Sequence, residues 1–392
     1  MRTFVDRGGT FTDVVKVTTD GDVRIQKVRS DVAIVGDLAE GPLTLGTTVA
    51  TNALLERTGV PTLLLVSDGF RDLPWIRDQT RPALFDPDAE RQAPLCTSVL
   101  EVGGRIDTQG HIVEPLTIDR EALERTLADL EIQAVAIALL NSHRCHAHER
   151  AAAEIVQSID GPERWITLGH EASAELGYLA RIETTLVDAA ISPVLSRTMR
   201  RDRVPPGALA MRSDGSLCPA SSLRAPDAVL SGPAGGVLAV AAIAEQAGFR
   251  RAVGLDMGGT STDVCRVEVG HLPRREGDVE VAGVCLRRPM LEVETIAAGG
   301  GSILAHDGRR LTVGPASAGA NPGPQCYGQG GPPTLTDAAL ALGLIEPTSF
   351  SPPLKVEAIQ LPGAAADFID IARESMAQAV RRLATSRGID LR

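Results

Sequence analysis

Asp6-Arg-Gly-Gly-Thr-Phe-Thr-Asp13 and Asp256-Met-Gly-Gly-Thr-Ser-Thr-Asp263 carry Asp, Gly, Gly, Thr, Thr and Asp at the same offsets, and each leaves a short apolar strand pattern. One copy alone reads equally well as a tight turn between two strands. Two copies in separate halves of the chain indicate an internal duplication. The residue types fit one chemistry. Glycines at Gly8, Gly9, Gly258 and Gly259 let the backbone bend and bring N–H groups against phosphate oxygens. The hydroxyls of Thr10, Thr12, Thr260 and Thr262 offer further donors. Asp6 or Asp256, at the strand exit, suits Mg²⁺, a small hard cation that keeps several waters and takes one or two carboxylates. Two such loops, one per lobe, are expected to grip a polyphosphate from opposite sides, which is the positioning that phosphoryl transfer needs.

Outward from the first motif, the pattern predicts strands at Thr3 to Val5, Asp13 to Thr18 and Val23 to Val28, a helix from Thr48 to Arg57 and a strand at Thr62 to Val66. A Pro-rich excursion between Arg81 and Pro94 reads as surface loop or an inserted small element. Helices at Arg120 to Leu130 and near His148 to Ser158 lead into strands at Ala134 to Leu140 and Trp165 to Leu168, an α/β alternation. Thr184 to Arg200 is helical around Pro193, and a strand at Ala208 to Arg212 is expected to open the second lobe. Around the second motif, a helix through Gln246 precedes a strand at Ala252 to Asp256, with helices at Asp337 to Leu342 and Ala364 to Thr385. The expected division is 1–180 for the first lobe and 181–392 for the second.

Composition narrows the function classes. The chain of 392 residues has 39 Lys and Arg against 50 Asp and Glu, a net charge of -11 without a basic stripe, so neither nucleic acid nor an anionic membrane is an expected partner. No apolar segment is read as long enough to span or target a membrane, and a cytoplasmic location is expected. The six cysteines form no CxxC pair and are expected as free thiols.

The two motifs resemble the phosphate loops of the actin, hexokinase and heat-shock ATPase superfamily, and the surrounding stretches resemble the oxoprolinase and hydantoinase A family. Those stretches are Gly46-Thr-Thr-Val-Ala-Thr-Asn-Ala-Leu-Leu-Glu-Arg57, Gly69-Phe-Arg-Asp72, Ser231-Gly-Pro-Ala-Gly-Gly236, Ala297-Ala-Gly-Gly-Gly-Ser302 and Val313-Gly-Pro-Ala-Ser-Ala-Gly-Ala320. Arg7 and Met211-Arg-Ser-Asp-Gly215 lean toward the 5-oxoprolinase side. The resemblance implies two duplicated ribonuclease H-like α/β lobes around a cleft, and ATP-dependent opening of a small cyclic amide such as 5-oxoproline or a hydantoin. It implies that Asp6, Asp13, Asp256 and Asp263 orient Mg²⁺ or the attacking group, that the Gly-Gly-Thr turns contact phosphate, and that Gly299, Gly300 and Gly301 cover the nucleotide. A hydantoinase B-like second subunit or a homo-oligomer is the implied assembly. The family's pattern is longer between Val28 and Gly46 and between Met199 and Ala208, and runs on past the point matching Arg392. Two other readings stay open: the ATP-using subunit of a related carboxylase, and a shortened non-catalytic subunit.

Weaker signals remain. His143, Cys145, His146 and His148 lie within a few residues, as a metal site or, more simply, as a strand-to-helix loop. His170, Glu171, Glu175 and Tyr178 read equally as a substrate-binding segment or as support for the helix that follows. Arg71, Asp72 and Arg77 could fork a substrate carboxylate or form surface ion pairs. Cys326 reads as a packed thiol rather than a nucleophile.

Overall fold

Thr3, Val5 and Arg7 point inward and Arg2, Phe4 and Asp6 outward along Arg2–Arg7 (β1), the alternation that makes this segment a strand. The computed structural model describes the chain apart from residues 10, 31, 81–84, 86–91, 272–273, 276–277, 307, 351 and 386–392. Most of the Pro-rich excursion therefore lies outside the described residues. β1 pairs antiparallel with Phe11–Val17 (β2), which continues antiparallel into Val23–Arg29 (β3). On its other side β1 pairs parallel with Leu43–Thr47 (β4), which runs into the helix Val49–Leu55 (α1).

A second sheet follows, made of Thr62–Ser67 (β5), Ser98–Ile106 (β6), Ile112–Thr117 (β7), Ala134–Ala138 (β8) and Trp165–Leu168 (β9), in the order β7-β6-β5-β8-β9. Only β7 runs antiparallel. β5 and β8 are buried at every residue, as parallel strands covered on both faces require. The helices Arg120–Asp129 (α2), Ala147–Gln157 (α3), Gly169–Ala172 (α4) and Tyr178–Arg201 (α5) complete this layer. α5 is buried almost all round because Val187, Ala190 and Ile191 feed the core of the first sheet while Ile182, Leu186 and Ala189 feed that of the second.

The strand predicted to open the second lobe belongs instead to the first. Leu209–Met211 (β10) pairs parallel with β4, and Leu217–Pro219 (β11) extends it, so the first sheet reads β11-β10-β4-β1-β2-β3. Accordingly, one compact unit comprises residues 1–232 with 274–290, and the other 233–273 with 291–392, rather than dividing at 180/181. The hairpin Asp278–Val281 and Val284–Arg287 joins the first unit through α5, where Cys285 N donates to Glu183 Oε2 (2.6 Å) and Arg287 N to Thr184 Oγ1 (3.0 Å).

In the second unit the helix Ser231–Gln246 (α6), which starts at the boundary, precedes the antiparallel pair Arg251–Met257 (β12) and Thr262–Glu268 (β13), extended by Val293–Ile296. Leu335–Ala341 (α7) and Ala365–Thr385 (α8) pack on it, α8 inserting Phe368 into one core and Ala379 and Leu383 against Val264. The expectation of no apolar stretch of spanning length needs correction, because residues 225–246 reach 22 residues of sufficiently apolar composition. That stretch is broken by Leu230, at φ 63°, into a short turn at Ala225–Ala228 and α6.

Candidate functional site

Both motifs are β-hairpin turns in the same register. Asp6 faces Asp13 across β1 and β2, and Asp256 faces Asp263 across β12 and β13. Each turn closes with the same bond: Gly8 N donates to Phe11 O (3.0 Å) and Gly258 N to Ser261 O (2.8 Å). Sterics require the glycine at Gly8, where a Cβ would stand 2.7 Å from Phe11 O, and favour it at Gly258, where a Cβ would stand 3.3 Å from Ser261 O. Gly9, Gly259 and Thr260 are left exposed at the tips, while Thr10 lies outside the described residues.

The first turn is braced from below. Thr48 donates to Arg7 O through its backbone N (3.1 Å) and Oγ1 (3.3 Å), and Ser231 Oγ donates to Thr47 O (3.0 Å). Gly46-Thr-Thr and Ser231-Gly, distant in sequence, thus meet beneath the first hairpin. The Asp6 carboxylate leans over Gly46, where a Cβ would lie 3.3 Å from Oδ1. Asp13 is held by Lys27 Nζ, 2.9 Å from both carboxylate oxygens. Arg7 is buried, ion-paired with the fully buried Asp202, and donates to Thr12 Oγ1 (3.2 Å) and Ser30 O (3.1 Å). Arg7 therefore supports the strand pair rather than a ligand.

In the second hairpin the carboxylates are closer to a cation site. Burial pushes the Asp263 carboxyl above the ordinary aspartate value, Thr295 Oγ1 (2.6 Å) partly offsets this, and the neighbouring Asp256 charge adds to the rise. The pair lines a cavity of about 60 Å³ with Pro233, Gly236 and Val237 of α6. Next to this turn a larger, mostly apolar cavity of about 410 Å³ is lined by Met257, Gly258, Gly300, Thr336, Ile345 and Ile369.

Several expected contacts are corrected by this geometry. Thr12 and Thr262 point to the buried side of their strands, where Thr12 Oγ1 meets Ser30 Oγ (2.9 Å) and Thr262 Oγ1 donates to Ala298 O (2.5 Å), so neither hydroxyl faces a phosphate. Gly299, Gly300 and Gly301 brace the second turn instead of presenting free donors. Their N–H groups go to Ser302 Oγ (2.8 Å), Gly258 O (3.0 Å) and Gly259 O (2.6 Å). A Cβ at Gly299 would fall 2.7 Å from Ser261 N, which explains the glycine run. Arg77 is engaged by Glu183 (2.5 Å) and Gly283 O (2.7 Å), so it forks no substrate. Cys326 is fully buried and its thiol is pushed up to about 12, chiefly by burial and then by Asp337, which makes it inert. No group of three metal-ligating side chains occurs among the described residues, and His146 stacks on His170 at 4.1 Å instead of sharing a metal. Lys27 was legible once β3 was placed, by its register with Asp13. Thr295 had no sequence signal.

Comparison with known proteins bears on the whole chain. A family model described as hydantoinase/oxoprolinase matches residues 181–392, and its N-terminal-region companion matches residues 2–160. A 5-oxoprolinase of Pestalotiopsis fici is 34% identical over 89% of this chain and 32% of its own length. The caprolactamase subunit alpha of Pseudomonas jessenii is 34% identical over 99% of this chain and 63% of its own. The solved ATP-dependent caprolactamase from that organism superposes with TM-score 0.79 at 32% identity, covering 100% of this chain and 64% of that one. An acetone carboxylase superposes with TM-score 0.82 at 21% identity over 99% of this chain and 63% of that one, a likeness of fold. The chain thus spans about a third of the 5-oxoprolinase and under two thirds of the caprolactamase subunit. The α/β fold of the actin/hexokinase ATPase type expected from the motifs is the fold found.

Proposed function

The chain belongs to the hydantoinase/oxoprolinase family, and from that premise we propose that it is the ATP-using part of an enzyme that opens a small cyclic amide. An unstrained amide is a poor electrophile. Moving the γ-phosphoryl group onto the carbonyl oxygen activates the ring carbon, water adds there, and the ring C–N bond breaks as nitrogen takes a proton. A second water then releases phosphate from the acyl phosphate, leaving the opened amino acid with ADP. The observation that carries this reading is the pair of hairpins in identical register, each with two facing carboxylates beside a Gly-Gly turn whose second glycine is exposed.

The residues fit a metal-bound polyphosphate. Asp256 and Asp263, sharing one strand face with the Asp263 charge already disfavoured, form a pair that a cation would relieve, and Asp6 is the matching carboxylate of the other hairpin. Mg²⁺ would supply charge neutralisation. Backbone N–H groups of Gly9, Gly259 and Thr260 are the donors left at the tips for phosphate oxygens. The apolar cavity beside Gly258 has the size and lining of a nucleoside site. The name of the relative from Pseudomonas jessenii, a subunit alpha, supports a second chain as partner here.

Lactam-dependent ADP release, assayed with Mg²⁺ and a hydantoinase B-like partner, tests the proposal. Asp6→Asn and Asp256→Asn are each expected to lower turnover by about 100-fold or more. Turnover unchanged in both variants would remove the basis for the assignment.

A further inference from the structure

The carboxyl edge of the second sheet in the first unit holds a set of buried polar groups that the phosphate hairpins do not use. β5 and β8 are adjacent, but the chain leaves β5 toward β6 on one side and reaches β8 and β9 on the other, which makes this edge a topological switch point. Crevices at such points are where open α/β sheets take ligands. Tyr178 marks the place: its hydroxyl accepts from Ser67 N (3.2 Å), at the end of β5, and donates to Ala138 O (2.9 Å), at the end of β8.

Arg181, one turn further along α5, is 1% exposed and has no carboxylate within ion-pair distance among the described residues. Among the described residues its guanidinium makes one hydrogen bond, from Nη1 to Glu175 O (3.0 Å), and lies over the Tyr178 ring at 5.7 Å from the centroid, while Nε has no partner. Burial depresses its pKa, and Glu149 acts on it only at longer range. Glu149 is committed elsewhere, accepting from Leu139 N (2.9 Å), His170 N (2.9 Å) and His170 Nδ1 (2.5 Å). Ser142 Oγ, Ser173 Oγ and His170 Nε2 are also buried without partners. A buried guanidinium without a counter-charge is destabilising unless an anion meets it, and unpartnered hydroxyls are the donors that a carboxylate's second oxygen needs.

We propose that this edge is a binding site for a small carboxylate-type oxyanion, held by Arg181 with Ser173, Ser142 and His170 beside it. The anion is either the carboxylate of a cyclic substrate or a free ion of the size of acetate or bicarbonate. Calorimetry on the full chain without nucleotide separates the two sources. Binding of 5-oxoproline but not of acetate or bicarbonate assigns the substrate carboxylate; binding of acetate or bicarbonate, competing with 5-oxoproline, assigns a free anion. Uncharged 5-oxoprolinamide is expected not to bind in either case, and equal affinity for acid and amide would overturn the proposal. Arg181→Gln is expected to weaken the bound anion about 10-fold or more, with partial recovery in Arg181→Lys. Should Arg181→Gln fail to fold, Ser173→Ala decides: several-fold weaker binding supports the site, and unchanged binding sinks it. Asp256→Asn is expected to leave this binding intact, so failure here and failure of the ATP reading are separable.

Discussion

Asp13 and Asp263 occupy equivalent positions, yet one is neutralised by Lys27 and the other is desolvated beside a second carboxylate. The difference has a pH signature. Because folding raises the Asp263 pKa, the folded state holds its proton to higher pH than the unfolded chain does. Stability from this group is therefore present at low pH and lost as pH rises from the ordinary aspartate range through the raised value. The urea midpoint of the wild type relative to that of Asp263→Asn should fall as pH rises across that range; a difference that stays constant with pH would mean that burial at Asp263 has no energetic consequence. Gly299 makes a second residue-level prediction. A Cβ there meets the backbone of Thr260 and Ser261, so Gly299→Ala should destabilise by about 1–3 kcal/mol and weaken nucleotide binding together. At Arg7 the buried pair with Asp202 has no solvent to fall back on: Arg7→Met should cost about 3–5 kcal/mol in chemical denaturation, by leaving the buried Asp202 charge with the largely exposed Arg201 (3.0 Å) as its remaining ion-pair partner among the described residues.

Asp337, at the start of α7, shows how an element end sets the loop before it. Its carboxylate accepts from Gln325 N (3.1 Å), Cys326 N (2.8 Å), Thr334 N (2.8 Å) and Thr334 Oγ1 (2.9 Å), tying the Gly/Pro-rich loop to the helix. Asp337→Ala should lose roughly 2–4 kcal/mol in chemical denaturation, and Asp337→Asn less, since the amide still accepts from part of this set. Elements of this kind divide sharply in how far the sequence revealed them. The strands around the first motif, the strand before the second and the helices at Val49–Leu55, Ala147–Gln157 and Ala365–Thr385 follow from apolar periodicity and sit within a few residues of expectation. The hairpin Ser98–Thr117 and the short strands between Arg274 and Ser317 did not emerge, because Gly-rich and charged segments of this length take their pairing from tertiary partners. α5 begins six residues earlier than the predicted start at Thr184, since its first turns bury Arg181 and Glu183 against neighbours that polarity alone assigns to solvent. The turn glycines were legible as a motif; what each one touches was not, so Gly299 to Gly301 and the two inner threonines were read as ligand contacts when they are braces.

Over the whole molecule, each compact unit carries one copy of the hairpin, and the first unit runs on to residue 232 because a three-residue strand, β10, pairs with a partner far back in the chain. The duplication itself needed no structure to see, but its register did. In both copies the strand pair sends the second threonine inward and keeps its facing aspartates on the opposite face, an arrangement that leaves the turn tips as the common surface. That shared geometry is the basis for proposing that each hairpin is a phosphate-binding turn, and hydrogen–deuterium exchange with and without Mg²⁺ and a non-hydrolysable ATP analogue tests it most directly. Slowed exchange is expected in residues 6–13 and in residues 256–263, and Asp256→Asn should remove the protection of 256–263. Analogue binding that leaves both turns unchanged would contradict the account.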